Sequence, residues 1–359
     1  MKTQQRDVAP GFSRAIPDGV LVVDKPEGPT SHDVVTLARR ALGVSRIGHT
    51  GTLDPMATGV LPLVVGRATR LAQFLTASDK SYDATIAFGR TTDTYDARGR
   101  EVSRCAERPT REQLDAALVT FRGEFEQIPP AYSAKNIDGE RSYELARKGG
   151  SKDPPLRPKS VRVTARNLEL TAFDGDMAKI SMTVSAGFYV RSLAHDLGEA
   201  LGCGALLVAL RRTRSGEFGL HAAVPLAEVL QSSREDLATR LVPMSGLLSE
   251  LPAVTLRDTA TLERLKNGVE LGPSDLVAPL AEPEATAAPE ANAASEAVAP
   301  EAVVPEAVVP EAAVPEAAAP EAPQKIIVRL LGPDGDLVGL AKPGKTRGFL
   351  HGWVVLGIT

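Results

Sequence analysis

The chain of 359 residues has few features of a disulfide-rich, metal-binding or membrane-spanning protein. Its only two cysteines, Cys105 and Cys203, lie far apart, which argues against a disulfide framework and a zinc site. No run of about 18 apolar residues occurs, and the first residues lack the apolar stretch of a signal peptide. These absences predict a cytoplasmic protein with no membrane segment and no bound metal.

The net charge of −4 conceals an uneven distribution of charged residues. Nine glutamates and no lysine or arginine lie between Pro279 and Pro323. The rest of the chain carries 41 basic and 36 acidic side chains. A mildly basic body is compatible with an RNA partner, and equally with an ordinary globular charge balance.

Composition and pattern divide the chain into three parts. Residues 1–17 are predicted to be a flexible leader, residues 18–250 the main body, and residues 251–359 a smaller unit rich in strands. An insert at about 279–323 interrupts the smaller unit and centres on a five-residue repeat, PEAVV and its variants. Proline at every fifth residue prevents regular helix or sheet hydrogen bonding, which predicts a disordered or polyproline-like spacer.

The segment best suited to chemistry is GHTGTLDPMATG, residues 48–59. Its three glycines allow tight turns or close approach to a ligand. Pro55 disfavours a helical backbone at Asp54, which predicts that this carboxylate lies on a loop. Taken alone, a loop aspartate before proline is more often a helix cap or a turn residue than a catalytic group.

The whole segment, however, resembles the catalytic motif of the TruB family of tRNA pseudouridine synthases, which modify uridine 55 in the T arm. DKPEGPTS at 24–31, KSY at 80–82 and GFYVRS at 187–192 are similar to further motifs of that family. The resemblance implies an α+β fold, in which a catalytic domain over 18–250 has a mixed, mainly antiparallel sheet flanked by helices. It further implies a small C-terminal β-rich PUA-like RNA-binding domain over 251–359.

The resemblance also assigns roles to individual residues. It makes Asp54 the nucleophile and Arg191 its ion-pair partner. It places Tyr82 under the target uracil, as a candidate base for a late proton transfer. Tyr189 and Leu210 would line the uracil pocket.

Several of these residues have simpler interpretations. On spacing alone, Tyr82 is more often a half-buried strand aromatic. Arg191 is either a surface charge or a buried partner, and its position at a helix start, where the helix dipole disfavours a cation, supports the partner. His49 would usually be structural, but inside this motif we expect it to contact substrate by bracing the space that a flipped base leaves. Three arginines are interpreted equally as a solvated cluster or as phosphate binders: Arg211, Arg212 and Arg214.

The implied reaction breaks the C1′–N1 bond of uridine and forms a C1′–C5 bond, so this isomerase would need neither a cofactor nor a metal. The carboxylate of Asp54 could attack C1′, add to C6 or remove the proton of C2′. The expected partner is the T-arm stem-loop of tRNA, whose target base must be flipped out, without an obligatory protein partner. Two alternatives are an RNA chaperone with an unused pocket and a guide-RNA-dependent relative of the family.

Overall fold

The computed structural model describes residues 16–130, 159–277 and 327–356, together with the strand residues 136–137 and 140–141. The chain divides into two compact units, Met1–Ser249 and Glu250–Thr359. Most of the predicted leader and the whole insert at 279–323 lie outside the described residues. No helix of the described part is long and apolar enough to cross a membrane.

Helices and strands are numbered in chain order. The α-helices are α1 Ser31–Leu42, α2 Ala72–Thr76, α3 Arg111–Thr120, α4 Val190–Ala200, α5 Leu226–Gln231, α6 Arg234–Thr239 and α7 Thr259–Lys266. The strands of the first unit are β1 Gly19–Lys25, β2 Ile47–His49, β3 Thr58–Val65, β4 Lys80–Phe88, β5 Arg90–Thr92, β6 Glu101–Arg104, β7 Gly123–Gln127, β8 Asn136–Ile137, β9 Glu140–Arg141, β10 Val161–Phe173, β11 Met177–Val184, β12 Ala205–Ser215, β13 Phe218–Gly219, β14 Val224–Pro225 and β15 Val242–Pro243. Those of the second unit are β16 Ala253–Thr255, β17 Val328–Leu331, β18 Leu337–Pro343 and β19 Leu350–Val355.

The first unit is built on a mixed sheet of 11 strands. Its main path runs β14-β1-β3-β12-β4-β11-β10-β7, with β2 beside β3, β13 beside β12 and β15 beside β1. The pairs β1–β14 and β3–β12 are parallel, whereas the other pairs are antiparallel. The predicted α+β fold with a mixed, mainly antiparallel sheet and flanking helices is confirmed.

One face of this sheet packs against helices α1 and α4. Helix α1 contributes Val34, Ala38 and Leu42 to the core, and α4 contributes Leu193 and Leu197. Their spacing of four residues places them on one face of each helix. The same core includes residues of β1, β3, β4, β11 and β12, so it fixes both helices against the central strands.

Local sequence determines both ends of α1. Thr30 caps the helix, because its hydroxyl accepts from the Asp33 backbone N–H while the Asp33 carboxylate accepts from the Thr30 backbone N–H. Gly43 ends the helix in the left-handed conformation, with φ of 63°. The capping contacts at Thr30 therefore satisfy backbone N–H groups at the start of α1, where the chain arrives from β1.

The second unit has its own four-stranded sheet, in the order β16-β17-β18-β19. Strands β16 and β17 are parallel, and the remaining pairs are antiparallel. Helix α7 packs against this sheet through Leu262 and Leu265, which join Leu330 and Leu350 in a separate core. The interpretation of this unit as a PUA-like domain stays a prediction.

Gly59 is the glycine that the central strands require most strictly. Its φ is +101°, and a Cβ at this position would lie 2.9 Å from the backbone nitrogen of Arg212 on β12. We expect Gly59→Ala to lower the free energy of unfolding by at least about 2 kcal/mol, because strain and overlap add. Urea denaturation followed by circular dichroism measures the change.

Gly175 is the matched control for this prediction. Its φ of +99° is nearly the same, but a Cβ there would meet nothing within 4 Å. Gly175→Ala should therefore cost only the conformational strain, about 1 kcal/mol. Equal losses for the two variants would show that the close approach of β3 and β12 is unimportant.

Candidate active site

Asp54 lies in the loop between β2 and β3, and that loop is held by buried polar contacts. The Ser31 hydroxyl, at the start of α1, accepts from the backbone N–H of Leu53 at 2.8 Å and donates to its carbonyl at 3.1 Å. The ammonium of Lys25 donates to the Ala57 carbonyl at 2.7 Å. Burial, followed by repulsion from Arg98, lowers the pKa of Lys25 to about 8. The loop is therefore anchored at the residue before Asp54 and three residues after it.

Arg191 brings a buried positive charge to the Asp54 carboxylate. It lies in the first turn of α4, where it is the second residue of the helix. Its Nε is 2.9 Å from Oδ2 of Asp54, and the two side chains are 8% and 37% exposed. The carboxylate therefore has one oxygen fixed by a charge-assisted contact and remains accessible to a ligand.

A second carboxylate, Asp96, faces the same arginine. Nη1 of Arg191 lies 3.7 Å from Oδ2 of Asp96 and donates to the Thr94 carbonyl at 3.3 Å. Asp96 is buried and also accepts from the Thr94 hydroxyl at 2.8 Å and the Arg98 backbone N–H at 3.0 Å. Arg191 thus contacts the carboxylate of Asp54 with Nε and faces the buried carboxylate of Asp96 with Nη1. Asp96 is not among the site residues that the sequence motifs predict.

Tyr95 shapes this supporting loop. Its backbone has a φ of 64°, which is uncommon for a residue other than glycine. Its ring stacks on His195 of α4, with centroids 3.9 Å apart and planes 4° apart. Because Thr94 and Asp96 flank Tyr95, this stacking fixes both groups that contact Arg191.

Five of the six residues predicted for the site line one cavity of about 300 Å³. Asp54 and Arg191 contribute the ion pair, and Tyr82 lies on β4. Tyr189 precedes α4, and Leu210 lies on β12. Elements distant in the sequence therefore place a carboxylate, an aromatic ring and an apolar wall around one space.

His49, the sixth residue, is not among the residues that line this cavity. Its Nδ1 accepts from the Gly51 backbone N–H at 3.3 Å. Burial, followed by the positive charges of Arg212 and His32, lowers the pKa of His49 from its ordinary value. His49 is half-buried, and its predicted contact with substrate stays a prediction.

Two further cations, Lys80 and Arg212, line the cavity and were not among the predicted catalytic residues. Both are buried, at 6% and 1% exposure. Within the described ranges, no group of three or more histidine, cysteine, aspartate or glutamate side chains is arranged to hold a metal ion. The charged groups of the cavity itself are thus one paired carboxylate, its arginine and these two cations.

Comparison with known proteins identifies two family domains in the first unit. Residues 39–190 match the TruB family pseudouridylate synthase N-terminal domain. Residues 191–249 match the tRNA pseudouridylate synthase B C-terminal domain. The residues that line the cavity are distributed over both matched segments.

Curated relatives extend over most of the chain. A protein of Solibacter usitatus named tRNA pseudouridine synthase B is 51% identical over 253 residues, which are 70% of this chain and 85% of the relative. A protein of the same name from Azoarcus is 46% identical over 245 residues, 68% of this chain and 80% of its own. A protein of that name from Opitutus terrae is 45% identical over 228 residues, which are 93% of the relative.

Solved structures share the fold at lower identity. A chain in the structure of an H/ACA ribonucleoprotein bound to a substrate RNA containing 2′-deoxyuridine has a TM-score of 0.64 at 22% identity, covering 96% of this chain and 86% of that chain. A chain of an archaeal box H/ACA complex has a TM-score of 0.62 at 23% identity, covering 96% and 87%. These likenesses show a common fold. By its two matched domains and its close relatives, this chain belongs to the TruB family of pseudouridylate synthases, which are isomerases.

Proposed function

We propose that this chain isomerises uridine 55 in the T-arm loop of tRNA to pseudouridine, with Asp54 as the nucleophile. The observation that carries the proposal is the cavity in which the Asp54–Arg191 pair and Tyr82 meet, in a chain of this family. A uracil ring has an apolar face and a polar edge, and the cavity offers an aromatic ring, an apolar wall and charged groups for them. Its volume of about 300 Å³ suits one nucleoside.

Asp54 would act at the sugar or at the base. Its partly exposed carboxylate can attack C1′, add to C6 or take the proton of C2′, because each of these steps needs only an oxygen with an available electron pair. Arg191 holds the other side of the carboxylate and so orients it. The uracil must be flipped out of the T loop to reach this cavity, and Tyr82 would then stack on it. We expect His49 to brace the space that the base leaves.

The second unit would contribute to RNA binding. Trp353 on β19 is 43% exposed, and the ammonium of Lys342 lies 5.9 Å from its ring centroid. An exposed aromatic ring beside a cation is suited to contact with RNA bases and backbone. Within this unit, such a surface supports the proposed PUA-like assignment of residues 251–359.

We place the action of the whole chain in the cytoplasm, where its proposed tRNA substrate is found.

The function is tested with purified protein, an unmodified T-arm stem-loop RNA and no other component. Because pseudouridine and uridine have the same mass, the digested RNA is first treated with a carbodiimide that stays attached to pseudouridine. Mass spectrometry should then show pseudouridine at a single loop uridine, and Asp54→Ala should form none. Tight binding without product would contradict the proposed activity and favour a chaperone. Product that requires added proteins or a guide RNA would contradict stand-alone action.

Tyr82→Phe separates stacking from proton transfer. Tyr82 is 9% exposed, so phenylalanine should keep its packing and its contact with the base while losing the hydroxyl. If the hydroxyl is the base that removes the C5 proton, the single-turnover rate should fall about 100-fold or more, with RNA affinity unchanged. Tyr189→Phe, which removes the other tyrosine hydroxyl of the cavity, should retain most of the activity. An unchanged rate in Tyr82→Phe would exclude its hydroxyl as an essential base.

A further inference from the structure

We propose that Lys80, supported by Arg212, stabilises the negative charge that the uracil ring carries while it is detached from C1′. The inference rests on the proposed function and adds to it a further catalytic residue, Lys80, with Arg212 as its positioning and electrostatic partner. Nothing in the sequence motif near Asp54 indicates this role, because both residues reach the cavity through the pairing of β4 with β12.

Strand geometry places the two cations beside the proposed base-binding surface. Lys80 and Tyr82 are two residues apart on β4, and Leu210 and Arg212 are two residues apart on β12, so each pair shares one face of the sheet. Arg212 lies directly opposite Tyr82 in the strand register. Facing residues of an antiparallel pair have Cβ atoms about 5 Å apart. A ring stacked on Tyr82 would therefore lie next to both cations.

Backbone carbonyls hold both cations in place. The Lys80 ammonium donates to the carbonyls of Thr76 and Ser78. The Arg212 guanidinium donates from Nε to the Val60 carbonyl at 2.7 Å. These contacts satisfy hydrogen-bond donors but leave the positive charges in place.

Arg212 also links the cations to the catalytic loop. Its Nη2 donates to the Gly51 carbonyl at 3.1 Å, three residues before Asp54. A Cβ at Gly51 would lie 3.4 Å from Nη1 of Arg212 and 3.8 Å from Cε of Lys80. Both cations therefore border the glycine where the loop comes closest to them.

Neither cation has a carboxylate partner among the residues that the structure describes. The carboxylate next in sequence, Asp79, makes its ion pair with Arg166, and its charge is the smallest of the three influences on the pKa of Lys80, which it raises. Burial, followed by repulsion from Arg212, lowers the pKa of Lys80 to about 8. Arg191, by contrast, faces two carboxylates. This end of the cavity is consequently short of negative charge, and an anion that enters it is stabilised.

The reaction itself supplies that anion on each of the three routes. If Asp54 attacks C1′, a C1′–O bond forms and the electron pair of C1′–N1 stays on the ring. If it adds to C6, a C6–O bond forms and the C5–C6 π electron pair moves to O4; C1′–N1 then breaks and its electron pair also stays on the ring. If it removes the C2′ proton, a C1′–C2′ double bond forms and the ring again leaves with the pair. The ring loses its charge when C5 uses the electron pair to bond to C1′. The bond from Asp54 to C1′ or C6 then breaks or, on the third route, Asp54 returns the proton to C2′. C5 finally gives up its proton and N1 gains one, which leaves neutral pseudouridine.

A backbone phosphate is the other anion in the substrate, and the burial of the cations argues against it. Lys80 is 6% exposed and Arg212 is 1% exposed, so both lie inside the cavity rather than at its mouth. A flipped base enters such a space, whereas its phosphates stay with the RNA backbone outside. Charge on the base also appears only during reaction, so a cation here would act on the rate and not on affinity.

The test compares Lys80→Gln with wild type in single-turnover reactions on the T-arm stem-loop. Glutamine can still donate to the two carbonyls while removing the charge. The rate of pseudouridine formation should fall about 100-fold or more, with the dissociation constant of the RNA unchanged. Lys80→Arg, which keeps the charge, should recover most of the rate. Lys179→Gln, at an exposed lysine of β11, is the control and should leave the rate unchanged.

A second substrate separates this role from a structural one. Fluorine at C5 withdraws electrons and stabilises a negative ring, so RNA with 5-fluorouridine at the target should depend less on Lys80. The loss of rate caused by Lys80→Gln, followed as disappearance of the target nucleoside, should therefore be smaller than with uridine. Two outcomes would overturn the inference. One is an equal loss of rate in Lys80→Gln with both substrates. The other is that Lys80→Gln binds RNA more weakly and with less salt dependence but reacts at the normal rate once the RNA is bound. A wild-type protein that forms no pseudouridine would overturn the proposed function as well.

Discussion

Asp54→Asn should abolish pseudouridine formation, lowering the single-turnover rate by at least about 10⁴-fold, while RNA affinity stays within about twofold. Asparagine has nearly the same shape as aspartate and can keep a hydrogen bond with Arg191. It cannot act as an anionic nucleophile or take a proton from C2′. All three routes from Asp54 therefore fail together. The measurement is pseudouridine formed on a T-arm stem-loop under saturating protein.

Asp24→Asn is the matched control for this variant. Asp24 also pairs with an arginine, since its Oδ2 lies 2.8 Å from Nη2 of Arg211, but it is absent from the residues that line the catalytic cavity. Removing its charge should leave the rate nearly unchanged, because this ion pair is partly exposed and contributes little. Substantial turnover by Asp54→Asn would remove Asp54 from its proposed role.

Arg191→Met should produce the second-largest loss, about 10²- to 10³-fold in the single-turnover rate. The buried guanidinium contacts Asp54 at 2.9 Å and Asp96 at 3.7 Å. Without it, two carboxylates would face each other across an apolar side chain, and Asp54 would lose its fixed orientation. We also expect a loss of about 3 kcal/mol in the free energy of unfolding, the lower end for a broken buried pair, since Asp54 is partly exposed.

Arg122→Met, at an exposed arginine outside the cavity, distinguishes this effect from the loss of an arginine side chain that holds a backbone carbonyl. The guanidinium of Arg122 donates to the Leu168 carbonyl at 3.0 Å, outside the catalytic cavity. That variant should lose some stability but keep its rate per folded molecule. If Arg191→Met retained the wild-type rate at a temperature where it is folded, orientation of Asp54 by Arg191 would be disproved.

Local signals made much of the first unit predictable from sequence. Capping residues and a terminal glycine define α1, and Pro55 predicts the loop at Asp54, because these effects act over a few residues. Alternating apolar residues likewise predict the antiparallel pair β10–β11. The motif around Asp54 identified the family, which the matched domains confirm.

The supporting groups of the cavity could not be predicted in this way. Asp96 contacts an arginine 95 positions further along the chain, and the turn that contains it has an ordinary polar composition. Lys80 and Arg212 meet only because β12 lies between β3 and β4, a strand order that no local pattern encodes. Non-local pairing of this kind is determined by burial of whole strand faces rather than by residue type at one position.

His49 lies within the most specific segment of the sequence, but it is not among the residues that line the cavity around Asp54. Its predicted contact with substrate stays a prediction. A motif identifies which residues belong to a site, but the side of the backbone that each one faces depends on the turns between them. Gly51, with φ of +149°, provides such a turn directly after His49 and Thr50.

The most direct test of the account uses full-length unmodified tRNA with tritium at C5 of its uridines. Replacing N1 by C5 at the sugar releases one C5 hydrogen to water for each pseudouridine formed. We predict that purified wild-type protein releases the tritium of one uridine per tRNA, that sequencing places the product at position 55, and that Asp54→Asn releases none. Release by Asp54→Asn, or by wild type from a different position, would contradict the assignment of this carboxylate and this substrate.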